Sequence, residues 1–322
     1  MKAHFSTFIL VLLISAVKAQ STEEVGMSPW GPQDEIGTLN MMTEDSKLEI
    51  LSQIQSGKTY DLSVDYFVGM PSFDALGDPS YQYWLTHTPN GTVVDNPNGL
   101  GKAMNQKVSY TGDAISMYTH MGTHIDALNH FGLNGKIWNG FTPEEHLGDK
   151  GWKKTGSETI PPIIARGVLI DVEEALEGLS ENYRINAEDL KTALRRQKVK
   201  LRKGDVVLIR TGQARFYEDA NEYLDKYPGI SLDAVKWLVE DQQIMLLGAD
   251  NLSLEAFPPE REDNWVPVHT YLLAEKGVMF IEQMFLEELA QDHIYEFAFI
   301  AASLKLKGAS GSPMRPIAIP VR

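Results

Sequence analysis

Cysteine is missing from all 322 residues. The chain therefore carries no disulfide and no lipoprotein anchor. Positive charge is scarce as well: 29 Lys and Arg stand against 44 Asp and Glu, a net charge of −15. Nucleic acid and anionic membranes both need a basic surface, so neither is expected as a partner. Long apolar runs are lacking, and the run from Phe8 to Ile14 is too short to cross a bilayer. Several reaction classes lose their signatures too. The chain has no Gly-x-Ser-x-Gly nucleophile elbow. It also has no His-Glu-x-x-His motif, no Gly-rich dinucleotide fingerprint and no P-loop. No solenoid repeat, charge run or linker divides it.

Residues 1–19 read as a signal peptide. Lys2 gives a positive start, an apolar run follows, and Val17-Lys18-Ala19 offers small residues before a cut. An N-terminal anchor that stays uncleaved is the alternative. On the first reading residues 20–322 are exported, to the periplasm or the extracellular space, with no membrane contact after cleavage. That remainder is long enough for one large core.

What the chain does contain is a histidine cluster. Three of its eight histidines, His120, His124 and His130, fall between Tyr118 and His130, with Asp126 among them. Imidazole and carboxylate together form the ligand set of catalytic Zn²⁺ and related ions. In an extended chain positions 120, 124, 126 and 130 share parity, so their side chains project to one side. A straight strand would put His120 roughly 13 Å from His124. One ion cannot span that, so the chain must fold back, and Gly122 at the midpoint tolerates the positive φ a reversal needs. Three ligands, His120, His124 and Asp126, leave coordination positions open for water, the catalytic pattern. His130 stands beside them as a candidate general base, because imidazole titrates near neutrality. His4, His87, His146 and His293 stand alone and read as ordinary core or surface residues.

The pattern His-x-Gly-Thr-His-x-Asp-x-x-x-His, residues 120–130, resembles the signature of the metal-dependent cyclase family. That family includes bacterial-type kynurenine formamidases and isatin hydrolase. Many formamidase-type members carry Pro where this chain has Leu128. The resemblance implies a single α/β domain over residues 20–322 with the swivelling β/β/α fold. It also implies one or two divalent ions, Mn²⁺ or Zn²⁺, and a homodimer or higher homo-oligomer. Carried over residue by residue, His269 and Glu282 would bind a second ion, with Asp126 as the bridge. His269 as an orienting or substrate-contacting residue beside a single ion is the alternative. Trp30 to Asn40 resembles the opening of a longer-chain branch, either an active-site rim or a loosely packed extension. Gly248 to Ser253 and Gly308 to Arg315 also look like family segments, the first a support and the second a closing loop near the site.

The remaining pattern is that of alternating helices and strands, hence α/β with a mixed sheet. Thr43 caps a helix candidate to Ser56 with a Leu48, Leu51 and Ile54 face. Thr59 to Tyr66 alternates toward strand. Gly69 to Gly101, rich in Gly, Pro, Asn and aromatics, reads as a long loop over the site. Its Asn90-Gly91-Thr92 is a glycosylation acceptor only in a eukaryotic host. Thr142 to Glu145 has the form of a capping box. A strand over Ile163 to Val172 follows the Pro161-Pro162 break. Asn186 caps a helix to Gln197, and Val206 to Arg210 is an apolar strand. Ser231 caps a helix through Gln242. Strands then follow at Ile244 to Leu247, Val278 to Glu282 and Ile294 to Ala302.

These features point to a hydrolase that opens a cyclic amide, isatin-like, or a lactone, with a small molecule as substrate. Phe73, Tyr81, Tyr83 and Trp84 in the long loop favour an aromatic one. An arylformamidase acting on N-formylkynurenine is the second reading. A non-catalytic exported metal- or ligand-binding protein is the third. Exported material should begin at Gln20 or Ser21; N-terminal sequencing that finds Met1 retained would end the signal-peptide reading.

Overall fold

The computed structural model describes residues 23–73 and 77–321. The signal-peptide reading lies outside the described residues. Nine strands form one mixed sheet. Four of them, Ile163–Asp171, Val206–Arg210, Leu246–Ala249 and Phe280–Glu282, run parallel at its centre. Their sequences are mostly apolar and rich in Val, Ile and Leu, the composition of strands covered on both faces. All five residues of Val206–Arg210 are buried.

Antiparallel strands extend both edges. On one side Glu296–Ala301, Ile317–Pro320 and Tyr60–Asp61 follow Ile163–Asp171. On the other, His124–Asp126 pairs with Phe280–Glu282, and Gly311–Pro313 closes the edge. The single-domain α/β fold with a large mixed sheet is the one expected.

Local chemistry explains the connections. In the helix Ala187–Gln197, the Asn186 side chain accepts from the Glu188 and Asp189 amides, and Asp189 accepts from the Asn186 amide. Both ends of that capping box are filled. Leu190, Ala193 and Leu194 form its buried stripe. The arm before Met41 is firmly packed. Asp34 accepts from Ser28 Oγ, the Ile36 and Gly37 amides, Asn40 Nδ2 and Trp138 Nε1.

Four expectations need correction. The first helix is Glu44–Ser52, and its buried residue is Ile50; Leu48 and Leu51 face solvent. Its apolar residues are too few and too scattered to make a stripe. Thr59 to Tyr66 gives only the two-residue strand Tyr60–Asp61, because the following chain turns to pack its aromatics beside the histidine motif. Thr142 makes no side-chain cap bond on the four-residue helix Pro143–His146. Finally, residues 69–101 are not one loop: Gln82–His87 pairs with Gly112–Ser116 as a hairpin, with short helical turns between. Tyr83, Trp84, Leu85 and Ile115 of that hairpin are exposed.

At the C-terminal ends of the parallel strands, buried charges lock neighbouring strands together. Arg210 donates to Asp171 at 2.8 Å, to Glu287 at 2.8 and 3.0 Å and to Glu173 at 3.1 Å. Removing one partner of such a cluster leaves buried carboxylates uncompensated. Arg210→Met is expected to cost about 3–5 kcal/mol. A urea titration would show this as a lower midpoint at unchanged slope. A shift worth less than about 1 kcal/mol would mean the cluster is solvated.

Candidate metal centre

The histidine motif folds back as its spacing requires. Gly122 has φ +60°, and a Cβ there would lie 2.4 Å from the Tyr66 ring, so reversal and close approach both demand glycine. Thr123 pins the reversal: its hydroxyl donates to the Gln283 carbonyl at 2.7 Å and accepts from the Val64 amide at 3.0 Å. Tyr66 adds a hydrogen bond to the Thr123 carbonyl. The short strand His124–Asp126 then runs antiparallel to Phe280–Glu282, and the register sets His124 opposite Glu282.

Register brings the carboxylates and imidazoles to one point. His120 Nδ1 lies 2.7 Å from Asp126 Oδ1. His124 Nδ1 donates to the Gly122 carbonyl at 2.7 Å, which leaves Nε2 with the lone pair. That Nε2 faces Asp126 Oδ1 and Glu282 Oε2, each at 3.3 Å. His269 Nε2 faces Glu282 Oε1, also at 3.3 Å. His120, His124 and Asp126 make one group whose ligand atoms all lie within 4.8 Å, and Asp126, His269 and Glu282 make another.

The donor set fits a cation. His124 Nε2, Asp126 Oδ2 and Glu282 Oε1 are buried and have no hydrogen-bond partner. Lone pairs in that position repel unless positive charge sits between them. Two ligands about 2.1 Å from one tetrahedral ion are roughly 3.4 Å apart, close to the separations seen here.

The histidines register the same concentration of negative charge. Burial pulls the His124 pKa down, yet Asp126 and Glu282 outweigh it and push it up to about 10. His269 reaches about 10 in the same way, burial being overcome by Glu255 and Glu282. Asp126 has the opposite balance. Burial raises its pKa, and the charges of His130 and His120 hold it well below the usual carboxylate range.

His130 lies beside these groups and belongs to neither. Its Nε2 is 3.6 Å from Asp126 Oδ2, and its ring stacks on His120 with centroids 3.7 Å apart. Burial and the charge of His120 hold its pKa well below the ordinary histidine value. A pocket opens above, lined by His120, His130, His269 and Glu282 below and by Phe73, Tyr118, Phe131, Phe257 and Trp265 at its sides.

All six residues singled out from the sequence therefore meet at one place. Of the four aromatic residues expected over the site, only Phe73 lines the pocket. Tyr81 packs in the adjoining aromatic cluster, while Tyr83 and Trp84 stand out on the hairpin.

Sequence reasoning missed two supports. Glu255 holds His269 Nδ1. Ser310 Oγ meets His120 Nε2 at 2.9 Å. Ser310 lay within the segment expected to close over the site, whereas Glu255 sits in no motif. Gly311, next to Ser310, approaches His120 so closely that a Cβ would lie 2.5 Å from the ring.

Comparison with known proteins is consistent with this geometry. Residues 60–256 match the profile of a family described as Putative cyclase. A solved structure described as a novel cyclase is 33% identical, covers 90% of this chain and 97% of its own, and superposes with a TM-score of 0.79. Cyclase-like protein 3 of Oryza sativa subsp. japonica is 25% identical over 322 residues, 99% of this chain and 100% of the relative. Isatin hydrolase A from Ralstonia solanacearum shares the fold at 21% identity and TM-score 0.62, over 82% of this chain and 92% of its own.

The raised histidine pKa values carry a consequence for stability. A folded-state pKa near 10 exceeds the unfolded value near 6.5. The stabilisation is thus fully present below pH 6.5 and lost as pH rises toward 10. Metal binding requires neutral imidazoles and removes that dependence. Chelated protein should lose melting temperature across this window, and Zn²⁺-loaded protein should lose much less. Parallel melting curves for the two forms would argue against a cation at these atoms.

Proposed function

The chain belongs to the cyclase family, and on that premise we propose that it is a metal-dependent hydrolase opening a cyclic amide or lactone of modest size. The observation that carries this reading is that two groups of His and carboxylate ligands share the buried Asp126, and three of their members, His120, His269 and Glu282, line an aromatic-walled pocket. One or two divalent ions, Mn²⁺ or Zn²⁺, held by His120, His124, Asp126, His269 and Glu282 would polarise a carbonyl and lower the pKa of water to about 7.

His130 has the attributes of the general base. It faces the pocket, and its lowered pKa keeps the ring neutral at pH 7, with a lone pair ready for a proton. It takes one proton from water as the water oxygen bonds to the carbonyl carbon. The ring C–N or C–O bond then breaks, and His130 returns the proton to the departing nitrogen or oxygen. The product is one open molecule carrying an amine or hydroxyl and a carboxylic acid, which releases the water's second proton to solvent and becomes a carboxylate. Asp126, 3.6 Å away, stabilises the imidazolium between the two transfers. Phe131 packs edge-on against both His130 and His269, so it helps exclude bulk water from this exchange.

The aromatic walls suit a flat aryl-fused ring such as isatin. They also admit N-formylkynurenine, whose scissile amide lies outside a ring, and this keeps arylformamidase as the competing activity. Mn²⁺- and Zn²⁺-loaded protein assayed against isatin, N-formylkynurenine and a set of lactones separates the two. Failure to turn over any amide or ester would leave a non-catalytic ligand-binding protein.

Chelation should abolish hydrolysis, with Mn²⁺ or Zn²⁺ restoring it. His130→Ala should keep its metal content while turnover falls roughly 10²–10⁴-fold, with KM changing much less. Metal analysis and rates on one preparation decide the point. A His130→Ala protein that lost its ion would make this residue a ligand.

A further inference from the structure

Glu255 is a charged side chain with only 2% of its surface exposed. Among the described residues it has no lysine or arginine ion pair. Its Oε1 accepts from the ring Nδ1 of His269 and, at 3.1 Å, from the His269 amide; Oε2 accepts from the Val268 amide at 3.3 Å. Burying a carboxylate this far from solvent is costly unless something compensates it. One imidazole and two main-chain N–H groups of one short segment supply all the compensation here.

The backbone around Glu255 is itself held. Asn251 Nδ2 donates to the Leu254 carbonyl at 3.1 Å, Tyr227 meets Ser253 Oγ at 2.7 Å, and Glu255 bridges Ile230. A carboxylate so placed cannot follow a rotating imidazole. It fixes one ring orientation instead, with Nδ1–H on Glu255 and the Nε2 lone pair toward Glu282, 3.3 Å away.

We propose that Glu255 is the positioning residue of the Asp126–His269–Glu282 group, setting the rotamer and tautomer in which His269 can hold a divalent cation. This inference rests on the reading of His269 as a ligand. A carboxylate accepting from the far nitrogen of a ligand histidine also makes the near nitrogen a better donor. On this account Glu255 affects metal occupancy entirely through His269.

The test is a double-mutant cycle read by Zn²⁺ calorimetry on the folded full chain. His269→Ala should weaken Zn²⁺ binding. Glu255→Leu should weaken it about 10–100-fold, the usual effect of losing such a partner. Glu255→Gln, which keeps an oxygen for Nδ1–H, should fall between wild type and Glu255→Leu and guards against misfolding of the latter. The decisive measurement is the double variant, which should bind no more weakly than His269→Ala alone. A Glu255→Leu protein with wild-type affinity, or one that loses a further 10-fold in the His269→Ala background, would overturn the positioning role. If His269→Ala itself binds Zn²⁺ like wild type, the ligand reading of His269 falls, and this inference with it.

Discussion

Everything at the centre of this protein follows from burying the carboxylate of Asp126, which is 1% exposed. An isolated charge in such a place costs far more than any single contact can return. The chain surrounds it with imidazoles: His120 at 2.7 Å, His124 at 3.3 Å and His130 at 3.6 Å. A second carboxylate, Glu282, faces the same His124 Nε2 at 3.3 Å. Protons on the histidines can balance these charges, and so can a metal ion. The unpartnered lone pairs and the separations near 3.3 Å favour the ion.

The sheet explains how distant residues reach that carboxylate. Asp126 and Glu282 come from adjacent antiparallel strands, so one register places both with His124 between them. A slip of one residue would turn these side chains to the opposite face. Register is therefore held from several directions. Thr123 ties the motif to Gln283 and Val64, Gly311–Pro313 pairs along the other edge of the same strand, and the Ser310 carbonyl takes the Ala127 amide.

How much of this was legible in the sequence depended on how local the cause was. Parity and the glycine at 122 suffice to bring His120, His124, Asp126 and His130 together, because they act over a few residues. The caps at Thr43, Asn186 and Ser231 were readable for the same reason. His269 and Glu282 came only through resemblance, since nothing local tells which distant histidine faces a given strand. Glu255 was invisible: its role comes from a hydrogen bond to a residue 14 positions away across an irregular segment. The aromatic residues at 81–84 misled because composition cannot distinguish a wall facing a pocket from a hairpin pointing outward.

The pocket's two halves have different structural origins, and this bears on what can vary. Its floor sets the strand residue Glu282 beside His120, His130 and His269, which come from turns and a helix and face the strand carboxylates Asp126 and Glu282. Its walls, Phe73, Tyr118, Phe131, Phe257 and Trp265, come from connecting segments, outside the strands and helices. Segments of that kind accept substitution at little cost to the core, whereas a change in the floor alters buried charge. Trp265 borders the site, is 52% exposed and packs edge-on against Phe131 with ring centroids 5.8 Å apart, so the core constrains it little. On the proposed function, water activation is tied to the buried charges beside the sheet, while the shape of the accepted substrate is tied to connecting segments that the sheet does not constrain.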